Sequence, residues 1–449
     1  MEQTARDLPP RKFVVTGASG FIGSHLAKLL ADAGHDVVAM GRNAYRVPIR
    51  NANLKFHRVD LASAPIESLA SWMRGCDVVF HAAAFSAPWG DPNTFDRCNV
   101  TATENVLQSC DAASVRRLVH VSSSAVQFDG KDRVNIDESH PMPASPKNDY
   151  VRTKQIAEAV VRNHQSKTLE TIVIRARAVF GAGDNSLLPR ILSAADRGTL
   201  IAMADDRVLS DLTYIDNFLF ALLLAIQNGQ SGDAFTITND EPVALWPFVR
   251  DILARTGRRS NLFRPGRHLC MLLASLIEFN HRVLQRTGEP TLTRYSVGLL
   301  SRTSTFDINR AKTQLGYRPL VSMPTAVDRT LDAMQKRDET HADTTVDLQL
   351  FTTGYTVAPA GRVQRGASLQ TSWKLHASIA LITHPRHGPT LFDTGYGPRF
   401  MEATQRFPFR FYRWLTPVST SPDLSAAAVL ERENIDPESI RRIIVSHFH

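Results

Sequence analysis

Long hydrophobic runs are missing from this 449-residue sequence. The longest apolar stretches, Phe218 to Ile226 and Leu269 to Ile277, fall short of the about 20 residues that cross a bilayer. The opening residues, MEQTARDLPPRKF, hold no apolar core of the kind a secretory signal needs. Cysteine is scarce. Cys76, Cys98, Cys110 and Cys270 show no Cys-x-x-Cys spacing, and they read as buried thiols in a reducing, cytoplasmic compartment. Basic runs are missing as well: the formal charge is +8, yet Lys and Arg never adjoin in more than pairs. A scattered basic surface argues against nucleic acid as a partner and suits an anionic ligand such as a dinucleotide.

What is present is ordinary globular composition, 43% hydrophobic and 21% charged, at a length that calls for more than one domain. The first half alternates short β-branched runs with helical stretches. Lys12–Thr16, Asp36–Met40, Asp77–Ala82, Arg117–Ser122 and Glu170–Arg175 read as strands, and Ser24–Ala33 as a helix. Such alternation predicts an α/β fold with a doubly wound parallel sheet of the Rossmann type. From about Gly181 longer helices and short strands predict a smaller substrate subdomain, so a first domain spans 11–334. The polar stretch QKRDETHADTT predicts a linker over 335–345. Residues 346–449 read as a separate β-rich unit. Within the first domain, HLCMLLASLIEFNHRVL has helical periodicity, expected as a core or lid helix ahead of a membrane-surface contact.

The densest chemical signal is FVVTGASGFIGSHLAKLL, where Gly17, Gly20 and Gly23 follow a strand and open a helix. Gly17 allows a tight turn, Gly20 lets backbone approach a pyrophosphate, and Gly23 lets helix pack on strand. Phe21 and Ile22 complete the turn, whose free N–H groups favour phosphate. A carboxylate ending the second strand would bind a ribose 2′-hydroxyl. Here Gly41 and Arg42 stand instead, and a guanidinium suits a 2′-phosphate, which favours NADP over NAD. Asp60 and Leu61, in RVDLAS, are placed to reach the adenine.

Tyr150 and Lys154 form Tyr-x-x-x-Lys at the start of a predicted helix, on one face. A free phenol is a poor proton donor or base at neutral pH. An ammonium about 4 Å away, at an effective dielectric near 20, contributes roughly 4 kcal/mol, on the order of three pKa units. Upstream, VHVSSSAVQFDG supplies hydroxyls for a substrate oxygen. Ser123 is the first choice and Ser124 the next, with Ser122 competing; each could instead cap the strand end.

The ordered set TGASGFIG, DLAS, HAAA, NVTATENVL, VSSSAV, YVRTK, IRARAVFGAGD and TYIDN resembles an extended short-chain dehydrogenase/reductase, over residues 12–335. More narrowly it resembles the 3β-hydroxysteroid dehydrogenase branch. AFSAPWG, LLPRIL and GEPTLTR make it similar to the 2-alkyl-3-oxoalkanoate reductases within that branch. The resemblance implies Tyr150 as proton donor or acceptor, Lys154 as its partner and ribose binder, and Ser123 as holder of the substrate oxygen. It implies Asn99 as a support from a helix, His81, Ala82 and Ala83 as cleft lining, and Asp216 as a tie for the substrate subdomain. Arg177 departs from the family pattern, where Pro is common. The implied reaction passes a hydride between nicotinamide and a lipophilic secondary alcohol or ketone, of β-hydroxy/β-keto acyl or steroid-like type. Partners are then a small lipophilic substrate and, plausibly for the fold, a second copy of the chain. Two rivals are a nucleotide-sugar epimerase or dehydratase and a non-catalytic dinucleotide sensor.

Near the end, LFDTGYG, a helix and IIVSHFH resemble the first half of a metallo-β-lactamase-fold hydrolase. Only His447 and His449 of that family's zinc motif are present, and two imidazoles are too few for a catalytic zinc. Zinc is therefore not expected here, nor a lactone or ester hydrolase activity. Asp393 is expected to be structural.

Overall fold

Short β-branched runs without polar alternation mark strands covered on both faces, and the computed structural model holds them in that way. It describes residues 1–9, 11–43, 51–184, 187–259, 261–284, 288–342, 346–364, 368, 370–384, 388–395, 401–402, 404–405, 410, 418–440 and 442–445. The chain divides into two compact units, Met1–Met334 and Gln335–His449.

The first unit opens with β1 (Lys12–Thr16), α1 (Phe21–Asp32), β2 (Asp36–Gly41), β3 (Leu54–Arg58), α2 (Ile66–Met73) and β4 (Val78–His81). It continues with α3 (Ala102–Ala112), β5 (Arg117–Ser123), α4 (Asp149–Arg162), β6 (Glu170–Ala176), α5 (Ile215–Asn228) and β7 (Ala234–Ile237). Seven parallel strands lie in the order β7-β6-β5-β4-β1-β2-β3, the doubly wound Rossmann-type sheet. Because side chains alternate along a strand, Phe13 and Val15 enter one apolar layer with Leu26, Leu30 and Phe80, and Val14 the other with Val38, Val79 and Leu118. Each such side chain contributes about 1.5–3 kcal/mol on burial. The sequence did not predict β3 or β7. LKFHR carries three polar residues and forms an edge strand, half-exposed and unlike the apolar runs.

One register matters for the site. Thr16 pairs with His81, and His81 with His120. Gly17 and Ala82 therefore leave the sheet side by side at its carboxyl edge, level with Val121 of β5, which runs on beside β6 to Ser123, and β1 and β5 lie about 10 Å apart across β4.

The substrate side holds a small sheet of short strands in the order Val243–Ala244, Leu209–Ser210, Ser304–Phe306, Arg133–Ile136. Around it are α6 (Arg267–Val283), α7 (Arg294–Leu300) and α8 (Met323–Ala342). Two expectations change. The stretch read as a linker is helical as far as Ala342, because Gln, Lys, Arg, Glu and Ala are good helix formers even without an apolar stripe. Residues 343–345 of that stretch lie outside the described residues. And α6, expected as a core or lid helix, buries only Cys270, Ala274 and Glu278, leaving its leucines outward. Cys76, Cys110 and Cys270 are buried free thiols and Cys98 is half-buried; burial pushes the Cys76 thiol up to about 12. Among the described residues no helix is long and apolar enough to cross a membrane, and no group of three or more His, Cys, Asp or Glu could hold a metal ion.

The second unit is a sheet of β8 (Asp347–Pro359), β9 (Ser372–His384), β10 (Gly388–Phe392), β11 (Val418–Ser419) and β12 (Arg442–Ile444), with helix α9 (Ala426–Arg432). The order is β11-β8-β9-β10-β12, antiparallel except for β10 with β12. Its core is small: Ile379, Leu381, Leu391 and Leu430. Asp393 stands at φ +62 after β10 and donates its N–H to Ile444 O at 2.7 Å. His447 and His449 lie outside the described residues.

Candidate active site

Strand β1 ends in a turn only glycine can make. Gly17 has φ +68, and a Cβ there would lie 2.6 Å from Ala83 N and 2.7 Å from the Ala82 carbonyl carbon. A Cβ on Gly23 would lie 2.3 Å from Gly17 O, so the helix can seat on the turn only without one. Gly20 is the N-cap of α1, and no side chain caps the helix. Uncapped N–H groups at a helix start, reached over bare backbone, fit the pyrophosphate of a dinucleotide. Phe21 is buried and Ile22 half-buried behind the turn, while Ala82 and Ala83 approach it by their backbone.

The His81 side chain does not reach the cleft surface. The ring is fully buried, with Nδ1 2.7 Å from Thr16 Oγ1 and Nε2 2.9 Å from Thr103 Oγ1. Thr103 spends its own proton on Asn99 O at 2.6 Å, so Nε2 carries the imidazole proton and Nδ1 accepts from Thr16. Burial, aided by the charge on Lys154, lowers the His81 pKa to about 3, and the ring is neutral. It clamps β1 and β4 to α3 below the cleft.

On the adenine side, Arg42 follows Gly41, and a Cβ on Gly41 would touch Ser19 Oγ of the glycine turn at 2.9 Å. Arg42 is exposed; its guanidinium meets Cys98 Sγ at 4.0 Å, and among the described residues no carboxylate pairs with it. Asp60 is partly committed, accepting Ala62 N–H at 3.2 Å and pairing with Arg97 at 3.2 Å. Leu61 is buried beside it.

The opposite end is built on α4. Asn148 caps it by accepting Val151 N–H at 3.0 Å, which places Tyr150 in the first turn, half-buried. Lys154, one turn on, is buried. Its Nζ donates to Val121 O at 2.9 Å and lies 3.5 Å from His120 Nε2. Burial lowers its pKa to about 8, against the opposing pull of Glu158. Asn99 sits in a π-helical turn, Asp96–Thr101; it accepts Phe85 N–H at 2.7 Å and donates to Phe85 O and to Thr153 Oγ1 on α4. A wide turn of this kind is costly and gathers at functional sites. Asn99 thereby ties the AFSAPWG loop to α4, a support from a helix.

The three serines separate by their bonds. Ser122 Oγ donates to Glu158 Oε2 at 2.8 Å, and Ser123 Oγ accepts Ala125 N–H at 3.2 Å as an N-cap. Among the described residues no group hydrogen-bonds the hydroxyl of Ser124 or of Tyr150. Ser123, the first choice from sequence, thus serves as a cap through a lone pair of its oxygen and keeps its own proton, while the Ser124 hydroxyl carries no structural bond among the described residues.

Further residues shape the site, and Arg175, Glu158 and Asn217 among them carry no signal in the sequence. Arg175 and Glu158 pair in the core beneath Ser122. Asn217, one residue past Asp216, binds Leu320 N–H, Val321 N–H, Val321 O and Asn239, and so fixes the start of α5; Asp216 itself meets Arg329 at 3.7 Å. Arg177, the residue in place of Pro, is buried and donates to Asp211 O and Ser210 Oγ, with its guanidinium 5.5 Å from the Phe306 ring centre. It joins β6 to the small sheet, and Ala178 takes φ +42 to allow it. Tyr295, after GEPTLTR, packs edge-on against Phe128, and burial raises its phenol with the Tyr150 phenol adding to the effect.

Comparison with known proteins gives the same placement. The 3-beta hydroxysteroid dehydrogenase/isomerase family matches residues 14–264. A 2-alkyl-3-oxoalkanoate reductase of Shewanella oneidensis is 33% identical over 344 residues, covering 73% of this chain and 88% of its own. A 4-hydroxy-2-methyl-3-oxo-4-farnesyl-3,4-dihydroquinoline-1-oxide ketoreductase of Stigmatella aurantiaca is 32% identical, covering 70% and 94%. The decarboxylating sterol-4-alpha-carboxylate 3-dehydrogenase of Mus musculus is 30% identical, covering 72% and 91%. Among solved structures, a dTDP-glucose 4,6-dehydratase from Streptomyces venezuelae with NAD bound matches at TM-score 0.59 and 22% identity, over 73% of this chain and 98% of that one. An epimerase from Methanothermobacter thermautotrophicus matches at TM-score 0.62 and 20% identity, over 76% and 97%. These two likenesses speak for the fold.

Proposed function

The chain belongs to the 3-beta hydroxysteroid dehydrogenase/isomerase family, and from that premise we propose which of its residues do the chemistry and on what. The protein is an oxidoreductase that passes a hydride between a nicotinamide dinucleotide and a lipophilic secondary alcohol or ketone. The glycine turn and the uncapped start of α1 hold the pyrophosphate, and Ala82 and Ala83 close the cleft floor. Arg42, solvent-facing beside the turn, selects NADP(H) by a charge-assisted fork to the 2′-phosphate. When bound, the nicotinamide supplies or accepts the hydride. Ser124 Oγ donates to the substrate oxygen, and Tyr150 moves the matching proton at that oxygen. Lys154, fixed to Val121 O at the sheet edge, holds a positive charge one turn below the phenol and binds the nicotinamide ribose.

One observation carries this reading: among the described residues the Ser124 and Tyr150 hydroxyls have no protein partner, and Tyr150 stands one helical turn before a buried amine anchored two strands from the glycine turn. The substrate class we favour is a β-keto acyl compound, supported by the likeness to the Shewanella oneidensis reductase. The buried free thiols support a reducing, cytoplasmic setting. For the second unit we keep the likeness to the first half of a metallo-β-lactamase fold, supported by an antiparallel sheet followed by α9 and β12, and assign it no chemistry.

The test is a screen of β-keto acids, sterols and sugar nucleotides with NADPH and NADH, following loss of reduced cofactor. Net oxidation with a β-keto acid is expected. Conversion of a sugar nucleotide with no net cofactor change would assign an epimerase instead. Tyr150→Phe is expected to abolish turnover and leave dinucleotide binding intact; retained turnover refutes the assignment.

A further inference from the structure

Two arginines stand at the end of β6, and only one has a counter-charge. Arg175 is paired with Glu158 in the core. Arg177, just past the last residue of the strand, is 5% exposed, yet among the described residues no carboxylate lies within ion-pair distance of it. Its Nε and Nη2 are spent on Asp211 O at 3.2 Å and Ser210 Oγ at 2.8 Å, and the Phe306 ring covers one face. Nη1 makes no hydrogen bond among the described residues. The acid that attracts it most, Asp211, commits its carboxyl to Phe306 N–H at 2.7 Å, and burial pushes that carboxyl up to about 6. A guanidinium held out of water without a paired anion is costly. A ligand that brings its own negative charge would remove that cost.

The register places this cation beside the reacting groups. Ser123 of β5 pairs with Ala176 of β6, and both strands end there. Ser124 and Arg177 therefore follow on neighbouring strand ends, with backbones about 5 Å apart. Tyr295 comes in from α7. The start of that helix is fixed by a capping box in which Thr293 accepts Ser296 N–H at 3.0 Å. One face of α7 rests on Phe128, which ends the turn that carries Ser124. The Tyr295 and Phe128 rings meet edge-on at 5.9 Å, and a Cβ on Gly298 would lie 3.3 Å from Phe128 Cζ. The Tyr295 hydroxyl makes no hydrogen bond among the described residues. Its pKa is raised by burial and by Tyr150 and lowered by Arg177, so the phenol lies within electrostatic reach of both.

We propose that Arg177, with the Tyr295 hydroxyl, binds a carboxylate of the substrate, set next to the carbon that Ser124 and Tyr150 address. The substrate is then a free β-keto or β-hydroxy acid and not its ester or thioester, because only the acid supplies the missing anion. Two oxygen-bearing groups one carbon apart suit donors that stand on adjacent strand ends. The assignment rests on the hydride transfer to a β-keto acyl compound proposed above, and it adds which end of that compound is read and by which residues.

Kinetics of the full chain on β-hydroxytetradecanoic acid and on its methyl ester test it, following dinucleotide reduction with NADP+ and with NAD+. In the parent, kcat/KM for the acid is expected to exceed that for the ester about tenfold to a hundredfold. Arg177→Met should bring this ratio close to unity, and Tyr295→Phe should lower it about threefold to tenfold. Fluorescence titration checks that each variant still binds the dinucleotide. Tyr295→Phe removes only a hydroxyl with no structural bond, so it decides the matter if Arg177→Met fails to fold. Turnover of neither compound by the parent would end the β-keto acyl reading and this assignment with it. Equal turnover of acid and ester by the parent would leave the oxidoreductase standing and overturn the assignment alone. So would a ratio that persists in variants still able to bind the dinucleotide, and Arg177 would then serve only to tie β6 to the small sheet.

Discussion

Arg175 and Glu158 form an ion pair with no solvent contact. Nη2 lies 2.7 Å from Oε1, and the side chains are 1% and 0% exposed. Ser122 adds a 2.8 Å hydrogen bond to the same carboxylate, and Lys154 stands one turn before it on α4. The core of the sheet edge is therefore polar: α4 is held to β5 and β6 by charge where an ordinary Rossmann unit would use apolar contact.

Glu158→Gln leaves a guanidinium buried without its counter-charge, and Arg175 Nη1 already has no partner. Removing one member of such a pair costs about 3–5 kcal/mol. A urea melt should show that loss at pH 7. A cost under about 1 kcal/mol would mean the pair is solvated in solution. The same variant should lower the Lys154 pKa further, since Glu158 is what holds it up.

The serines give a paired test. Ser124→Ala removes a hydroxyl with no structural bond, so activity should fall about 10²–10³-fold with unchanged stability. Ser123→Ala removes a cap, so stability should fall by about 0.5–2 kcal/mol with activity nearly kept. Steady-state kinetics and melts on both variants decide it. The reverse pattern would return the substrate contact to Ser123.

Lys154 couples activity to pH. Its folded pKa of about 8 lies below the ordinary lysine value, because burial penalises the ammonium. The positive charge that Lys154 brings to the site is present below pH 8 and lost above it, so kcat/KM should fall as pH rises through about 8. Stability runs the opposite way. Between pH 8 and 10.5 the unfolded chain binds the proton and the folded one does not, so this group makes folding more favourable as pH rises. Below pH 8 both forms are charged and the full penalty, about 3 kcal/mol, applies. Lys154→Met should thus be inactive at pH 7 yet no less stable than the parent. A flat kcat/KM profile from neutral pH to well above 8 would refute the role.

Much of this was legible in the residues, and the exceptions share a cause. Lys12–Thr16 and Arg117–Ser123 are buried on both faces, so their apolar runs read as strands directly. Gly17 and Gly23 are legible because a Cβ is forbidden there, a constraint of a few neighbouring atoms. Helical periodicity finds α6, but period alone cannot say whether the apolar stripe faces in or out; only the tertiary contacts of Cys270 and Glu278 decide. The choice among Ser122, Ser123 and Ser124 likewise turns on partners elsewhere in the chain, Glu158 above all. Arg175 and Glu158 are 17 residues apart and look like two ordinary surface charges until the sheet and α4 close over them.

The proposed preference for NADP(H) rests on Arg42. It stands at the end of β2 where an acid would meet a ribose 2′-hydroxyl, next to a glycine that touches the phosphate turn. A 2′-phosphate would gain a bidentate, charge-assisted contact worth about 1.5–3 kcal/mol, roughly ten- to a hundredfold in affinity. Arg42→Ala should raise the Kd for NADPH by that factor and leave the Kd for NADH nearly unchanged, measured by nucleotide fluorescence titration. Salt should weaken NADPH binding more than NADH binding in the parent and equally in the variant, because the screened charge has gone. Equal loss of both nucleotides would mean that Arg42 supports the turn without reading the phosphate, and the protein would then use NAD(H).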